Sequence, residues 1–384
     1  MPVATPTLQQ GNAETQTVSR RMQTTSPPEQ GVPSFVSQSG KASQIAMSTT
    51  GLAFGGLVTR SIKPAPGYQS GLWIVVKATG GGNGTHTVTA AADAPWSVIQ
   101  TIQIRDPFGT VVYQSDGWGL YLVNLYSAQV GAAGLQNPTS DPDYSAISTG
   151  TAGTGNFSFA LFLPFEFDSD TAYCSIPAMN SAAEMNLQIT LAGAGAVYGT
   201  QPGTLPVIEV DIFQSYWIVP LDNPELAPPD DGSSHQWSQA NGATGISSGG
   251  NQRVELPDVG TYISTLILQF RDANNVRTDE VFANDLELWI DGVPRRIEAP
   301  NRLFGRMFRQ FGVTRPAGAA VYTFRDSVGK LINDDNMEQL LPTTPGTLLE
   351  AFAGGWGTAS ASTAPWTITT YTGKLYPLGT VPER

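Results

Sequence analysis

Residues 96–126 read WSVIQTIQIRDPFGTVVYQSDGWGLYLVNLY. Its first part, 96–105, carries isoleucines at positions 99, 102 and 104, which favours a β-strand. The sequence Asp106-Pro-Phe-Gly109 is typical of a turn, and 110–113 predicts a second strand. In 118–126 the apolar residues recur three, four, seven and eight positions after Trp118, a spacing that predicts one amphipathic helix. The stretch therefore predicts two strands joined by a turn and followed by a helix.

The same order of elements recurs in the second half of the chain. Strands are predicted at 262–271 and 285–290, followed by the turn sequence Asp291-Gly-Val-Pro294. A helix is predicted over 301–311, because Leu303, Phe304, Met307, Phe308 and Phe311 share one face. In both halves the helix starts about a dozen residues after the Asp of the turn, and the two copies lie about 185 residues apart. The matched order predicts an internal repeat.

Further strands are predicted between turns rich in Gly and Pro. They lie at 72–78, 156–165, 184–191 and 207–219 in the first half, and at 319–324, 347–352 and 365–371 in the second. Many short strands at regular intervals are typical of an all-β protein built from sandwiches. We expect two sandwiches of eight strands, each with one short inserted helix.

Composition suggests where the parts begin and end. Residues 1–48 are rich in Gln, Thr, Ser, Pro and Gly without a sustained period, which is typical of an N-terminal arm. Residues 222–250 are rich in Pro, Gly, Ser and acids, the composition of a linker. The predicted domains are therefore the arm at 1–48, a first sandwich at 49–221, the linker at 222–250 and a second sandwich at 251–384.

The overall composition excludes several classes of protein. One cysteine in 384 residues cannot form an internal disulfide, and two histidines give no zinc-site spacing. A net charge of −12 argues against general binding of nucleic acid, so we expect no specific nucleic-acid partner. The first 30 residues have no apolar core of a signal peptide, and no apolar run of 18 residues predicts a membrane-spanning helix.

A search for catalytic chemistry is negative. His86 and His235 have no candidate nucleophile near them in the sequence, and Cys174 is expected to be a buried packing thiol. Pairs of acids that could serve a glycosidase or a calcium site lie in polar, turn-like surroundings and lack the calcium-loop pattern. These pairs are Asp141/Asp143, Asp168/Asp170, Asp230/Asp231 and Asp334/Asp335. We expect no enzymatic activity and no cofactor.

Positive charge is concentrated in two places. Six arginines between 295 and 315 are opposed by Glu298 alone, and three of them, Arg302, Arg306 and Arg309, lie opposite the apolar stripe of the predicted helix. Either a subunit interface or a phosphate or lipid headgroup fits this arrangement. The arm carries the second, smaller group, Arg20, Arg21 and Lys41. These three residues and the three helix arginines, Arg302, Arg306 and Arg309, are the candidate contacts with a neighbouring subunit or a membrane.

Five short motifs in the first half, in order and with matching spacing, resemble the major capsid protein of tectiviruses. They are DPFGTVVY from Asp106, DGWGLYLVN from Asp116, FLPF from Phe162, LQITLA from Leu187 and FQSY from Phe213. Tectiviruses are tailless icosahedral bacteriophages with an internal membrane. The resemblance covers about residues 68–220, and the second half is similar in layout and length.

The resemblance implies a fold and a set of partners. It implies a double jelly roll, three copies of which would form a pseudo-hexagonal capsomer of a virion shell, assembled in the cytoplasm of a bacterial host. It also implies, as partners, neighbouring capsomers, vertex (penton) and minor capsid proteins, and the internal lipid membrane. One alternative stays open, because jelly rolls also hold sugar sites: a carbohydrate-binding protein or glycosidase that uses exposed tryptophans such as Trp237 and Trp356.

Overall fold

The computed structural model describes most of the chain from Ser34 to Tyr376. The described residues are 34–82, 84–85, 87–126, 147–169, 171–180, 184–229, 234–246, 252–256, 262–283, 285–313, 315–324, 341–342, 349–353 and 366–376. Strands dominate, as predicted from the sequence. Arg20, Arg21, His86, Trp356 and the acid pairs Asp141/Asp143, Asp230/Asp231 and Asp334/Asp335 lie outside the described residues, as does Asp170.

The described part of the chain contains twenty strands, four α-helices and two short 3-10 segments. The strands of the first half are β1 (Lys41–Leu52), β2 (Leu57–Ile62), β3 (Gly67–Thr79), β4 (Thr89–Ala90), β5 (Ile99–Arg105), β6 (Val111–Ser115), β7 (Phe157–Pro164), β8 (Ile176–Pro177), β9 (Met185–Leu191), β10 (Tyr198–Thr200) and β11 (Val207–Ile218). Those of the second half are β12 (Ser234–Ile246), β13 (Gln252–Leu256), β14 (Tyr262–Arg271), β15 (Leu286–Ile290), β16 (Val293–Glu298), β17 (Ala319–Thr323), β18 (Leu341–Pro342), β19 (Leu349–Ala353) and β20 (Trp366–Tyr376). The helices are α1 (Phe35–Gln38), α2 (Gly117–Tyr126), α3 (Ala194–Val197) and α4 (Pro300–Phe311), and the 3-10 segments are Trp96–Val98 and Glu280–Ala283.

Each half forms a sandwich of two four-stranded sheets with the same connectivity. In the first half the strand orders are β1-β11-β3-β7 and β2-β9-β5-β6, and in the second they are β12-β20-β14-β17 and β13-β19-β15-β16. If the eight long strands of each half are numbered in chain order, both halves read 1-8-3-6 and 2-7-4-5. This is the connectivity of a jelly roll, so the predicted double jelly roll is confirmed.

The predicted repeat is also confirmed. The fourth and fifth strands are joined by a turn at Asp106 in the first half and at Asp291 in the second, and the helix follows at once as α2 or α4. The Asp106 carboxylate accepts the backbone N–H groups of Phe108 and Thr110, which holds the first of these turns. The two halves are therefore equivalent pieces, which allows their surfaces to be compared position by position.

The two sandwiches join through one continuous sheet. Strand β12 runs parallel to β6, with Trp237 opposite Tyr113, so the 2-7-4-5 sheet of the first half continues into the 1-8-3-6 sheet of the second. One hydrophobic cluster contains buried residues of both halves, from Met47 to Tyr371. The burial of this apolar surface stabilises the two halves together.

Strand β12 corrects the prediction that 222–250 is a linker, because Ser234–Ile246 pairs along nearly its whole length with β20. Its sequence, SHQWSQANGATGI, lacks the apolar alternation of a strand, so pairing and the burial of Trp237 override the local preference. Strand β1 likewise crosses the predicted end of the arm at residue 48 and pairs with β11 from Lys41 onward.

The two helices differ from the amphipathic prediction in opposite ways. All residues of α2 are buried except Asn124, whose side-chain amide accepts from the Phe162 backbone N–H and donates to its carbonyl oxygen, at 2.8 and 2.6 Å. In α4 the buried residues are Leu303, Met307 and Phe311, but Phe308 is 61% exposed. Among the described residues, no helix is both long and apolar enough to cross a membrane.

Candidate assembly surfaces

The second sandwich is covered on one side by α2 of the first. We call this side, the outer surface of β12, β20 and β14, the junction face. The indole N–H of Trp118 donates to the side-chain oxygen of Gln269 at 3.2 Å. A Cβ on Gly119 would lie 2.1 Å from the ring of Tyr371, so the glycine lets that ring lie directly on the helix backbone. The junction face is thus a surface shaped to receive a helix.

A buried carboxylate fixes the helix on this face. Asp116 caps α2, because its side chain accepts the backbone N–H of Gly119 at 2.6 Å. The same carboxylate accepts from the Gln239 amide at 3.0 Å and from the Tyr371 hydroxyl at 3.3 Å. Burial raises the pKa of Asp116, while these three donors act to lower it. One side chain therefore connects α2 with two strands of the second sandwich.

Charged residues close the rim of the same junction. Asp93 of the first half pairs with Arg271 at 2.6 Å and with Arg277 at 3.0 Å. The Arg277 guanidinium also lies over the Trp118 ring, 4.3 Å from its centroid. A polar cleft of 620 Å³ between the halves is lined by Asp93, by Asp116 and by glutamine and threonine side chains. In the part of the chain that the structure describes, no three His, Cys, Asp or Glu residues are grouped as metal ligands.

No described part of the chain covers the equivalent side of the first sandwich. We call this side, the outer surface of β1, β11 and β3, the open face. Ile45, Phe213 and Trp73 lie side by side across the three strands, because Ile45 pairs with Phe213 and Phe213 with Trp73. Ile45 is 65% exposed, and Trp73 and Phe213 are half-buried. A shallow cavity of 370 Å³ lies over Ser43, Trp73, Val75, Phe213 and Ser215 and their neighbours Lys41 and Ala42.

Ion pairs border the open face at both ends. At one end Lys77 lies 3.1 Å from Asp211 and 3.8 Å from Glu209. Asp211 raises the pKa of Lys77 through a hydrogen bond and through its charge. Burial acts to raise the pKa of Asp211, but hydrogen bonds from Ser48 and Lys77 and the lysine charge outweigh it, so this pKa is lowered. This end of the face has two carboxylates for one ammonium group.

The other end holds the start of β1. Lys41, one of the predicted contact residues, lies 3.3 Å from the carboxylate of Glu166 and 4.3 Å from the ring centroid of Trp217. The indole N–H of Trp217 donates to the same carboxylate at 3.0 Å. Burial raises the pKa of Glu166, with Lys41 and Trp217 opposing it. Lys41 thus makes contacts inside the chain and fixes the first strand.

The predicted arginines lie on α4, but they are not equivalent. Arg306 is partly buried and pairs with Glu298, the one acid that the sequence places in this basic segment. Arg302 and Arg309 are exposed, on the same side of the helix as Gly305. Phe308 lies on the flank of this exposed side, and Val293 and Ile297 of the neighbouring edge strand β16 are 64% and 52% exposed. Whether these arginines contact protein or lipid stays a prediction.

Other candidates from the sequence have internal roles. Cys174 is buried, as predicted. His235 is buried in β12, where its Nδ1 lies 3.2 Å from the carbonyl oxygen of Glu166 and its ring meets Phe167 edge-on. The hydroxyl of Thr171 donates to Asp168 at 2.8 Å. Trp237 is 3% exposed, so the suggestion that it is an exposed tryptophan for sugar binding is wrong.

Sequence reasoning missed the open face itself. The sequence places Trp73 and Phe213 in predicted strands, with Phe213 also in the FQSY motif, and places Ile45 in the predicted arm, and none of the three is predicted as a contact residue. The available signal was the presence of apolar side chains on both alternating faces of 72–78 and 207–219, a pattern typical of strands covered on both sides.

The comparisons with known proteins concern the fold. No protein-family model matches the sequence, and no curated protein sequence matches it. Solved structures do match: the MCP of STIV (Sulfolobus turreted icosahedral virus) has 14% identity and a TM-score of 0.64, over 88% of this chain and 97% of that one. A capsid chain of the virus PBCV-1 has 12% identity and a TM-score of 0.63, over 88% and 93%. The Faustovirus major capsid protein has 10% identity and a TM-score of 0.53, over 88% and 90%. The chain thus has the double jelly-roll fold, and its structural neighbours are viral major capsid proteins.

Proposed function

We propose that this protein is the major structural subunit of an icosahedral virus shell and acts without enzymatic chemistry. The observation that carries the proposal is the tandem of two equivalent jelly rolls along nearly the whole chain, the arrangement of the matched capsid proteins. A fold alone does not fix a function. The exposed apolar residues on β1, β16 and α4 support a protein that works by contact with other protein surfaces.

The junction within one chain also suggests how copies associate. The first sandwich uses α2 and β6, and the second uses its 1-8-3-6 sheet, so the contact is head-to-tail. Head-to-tail contacts close into rings when the rotation between units allows it. We propose that three copies, with six sandwiches, form a homotrimeric and pseudo-hexagonal capsomer.

The remaining partners follow from the resemblance of the first half to the tectivirus capsid protein. They are neighbouring capsomers, vertex (penton) and minor capsid proteins, and an internal lipid membrane beneath the shell. We propose that the protein assembles in the cytoplasm of a bacterial host and ends in the virion. Specific nucleic-acid binding is not part of the proposal, since the chain has a net charge of −12.

Carbohydrate binding is the weaker alternative. Of its two candidate tryptophans, Trp237 is buried on β12 opposite Tyr113 of β6, and Trp356 lies outside the described residues. No other described feature favours a sugar site over a protein contact, so we do not adopt this function.

The test is the mass and shape of the purified protein. Light scattering after size-exclusion chromatography should give three times the chain mass of 40.7 kDa at micromolar concentration. Electron microscopy should show triangular or hexagonal single capsomers, and facets where shells form. A stable monomer over the whole concentration range would contradict the proposal.

A further inference from the structure

We infer that the open face of one copy is the binding site for α4 and the edge strand β16 of a second copy. This inference rests on the proposed function and gives the contact its residues. The structure supports it through the equivalence of the two halves, through a glycine on α4 and through complementary surfaces.

The equivalence of the halves is the first argument. The junction face and the open face are the same surface of a jelly roll, formed by the first, eighth and third strands. In the second half this surface receives α2, the helix after the fifth strand of the first half. In the first half no described residue covers this surface, and α4, the helix after the fifth strand of the second half, is half-exposed. A second copy placed head-to-tail pairs these two surfaces.

Gly305 is the second argument. A glycine in the middle of a helix lowers its stability, so its presence needs a reason. In α2 the reason is visible, because the Tyr371 ring lies where the Cβ of Gly119 would be. In α4 a Cβ on Gly305 would meet no described atom within 4 Å, and the residue lies on the exposed side. The described part of the chain gives no reason for Gly305, whereas the close approach of a second copy does.

The third argument is the match between the surfaces. Ile45 extends from the open face, with Phe213 and Trp73 beside it, and Phe308, Val293 and Ile297 extend from α4 and β16. These residues would remove each other's apolar surface from water.

The charges on the two surfaces are also complementary. The open face ends in Asp211 and Glu209, which share the single Lys77. The exposed side of α4 has Arg302 and Arg309. Opposite charges across an interface favour the correct pairing and disfavour others.

The experiment breaks each surface separately. We expect Ile45→Glu and Phe308→Glu each to convert the trimer into monomer in light scattering, with a loss of at least tenfold in association. Gly305→Trp should have the same effect, because it fills the space of the close approach. The matched controls are Leu57→Glu, a 58% exposed residue on the edge strand β2, and Gly195→Trp in α3, and both should remain trimeric. Circular dichroism checks that every variant is folded.

Mixing the variants tests the head-to-tail geometry. A chain with Ile45→Glu keeps an intact α4, and a chain with Phe308→Glu keeps an intact open face. Their mixture should therefore give one-to-one dimers that cannot close a ring, detected by native mass spectrometry with one chain isotopically labelled.

The outcomes separate the inference from the proposed function. If the wild-type chain is monomeric, the proposed function is wrong. If it is trimeric but Ile45→Glu and Phe308→Glu are trimeric too, the function stands and this inference is wrong. Folded monomeric variants that form no mixed dimer would also overturn the pairing of these two surfaces.

Discussion

At the scale of single residues, Asp116 is a side chain that connects the two halves. It caps α2 and accepts hydrogen bonds from Gln239 and Tyr371, which belong to different strands of the second sandwich. We expect Asp116→Ala to lower the free energy of unfolding by about 2–4 kcal/mol, because the cap is lost and buried donors lose their acceptor. Urea denaturation measures the change.

Asp106→Ala is the matched control for this change. Asp106 also accepts two backbone N–H groups, but its turn is exposed and contacts no second-half residue through these bonds. Its loss should cost about 1 kcal/mol or less. Equal losses for the two variants would show that Asp116 acts only within its own turn.

The pH dependence of Asp116 has a definite sign. Because burial raises its pKa, the folded protein binds this proton more tightly than the unfolded chain does. The stability from this group is present below the usual carboxyl pKa and is lost as the pH rises through the raised value. In Asp116→Ala this part of the pH dependence disappears.

At the scale of elements, a bidentate ion pair between Arg315 and Asp279 packs against helix α4. The Arg315 guanidinium binds both carboxylate oxygens of Asp279 at 2.7–2.8 Å and lies over the Phe304 ring, 3.9 Å from its centroid. Burial acts to raise the pKa of Asp279, but the hydrogen bonds from Arg315 and Gly318 and the arginine charge outweigh it, so this pKa is lowered.

This pair predicts a loss of stability in acid. A group whose pKa is lowered by folding stabilises above the usual carboxyl pKa, and its contribution is lost as the pH falls through the lowered value. We expect Asp279→Asn to cost about 1 kcal/mol or less at neutral pH, since the aspartate is half-exposed, and to reduce the slope of stability against pH in acid. Urea denaturation at pH 3 and pH 7 checks this, and an unchanged slope would contradict it.

Gly305 gives the second prediction for α4. With nothing within 4 Å of a new Cβ, Gly305→Ala should raise the stability of the folded monomer by up to about 1 kcal/mol. The measurement is urea unfolding in the Phe308→Glu background, which removes association. A destabilised chain would mean that the space beside Gly305 is occupied within the monomer.

The elements also show what the sequence could predict. Apolar periodicity predicts the strands β5, β9, β11 and β14. The repeat is predicted from the matched distance between the turn residue, Asp106 or Asp291, and the helix that follows it. Strands β1 and β12 could not be found in this way, because their residues are largely polar and long-range pairing with β11 and β20 holds them. The exposure of Phe308 and the burial of every α2 residue except Asn124 depend on the neighbouring elements, and local periodicity carries no information about these.

At the scale of the whole molecule, a deletion that tests the arm has to end before helix α1 and strand β1, which begin at Phe35 and Lys41. Removal of residues 1–45 would delete the start of β1 and the Lys41–Glu166 pair. Removal of residues 1–33 leaves α1, where Phe35 packs edge-on against Tyr68 and Trp217. We expect the shorter deletion to keep the trimer and to impair shell formation, as seen by electron microscopy. Normal shells would show that the arm is dispensable.

The shared core predicts how the molecule unfolds. A chain of two sandwiches could lose them one after the other, but here one hydrophobic cluster contains residues of both, and the β6–β12 contact continues one sheet across them. Unfolding of one sandwich would expose the apolar surface and the Asp116 contacts of the other. We therefore expect a single calorimetric transition for the monomeric Phe308→Glu variant, with a calorimetric enthalpy equal to the van't Hoff enthalpy. Two separate transitions would show that each jelly roll is stable on its own, and that the junction contributes little to either.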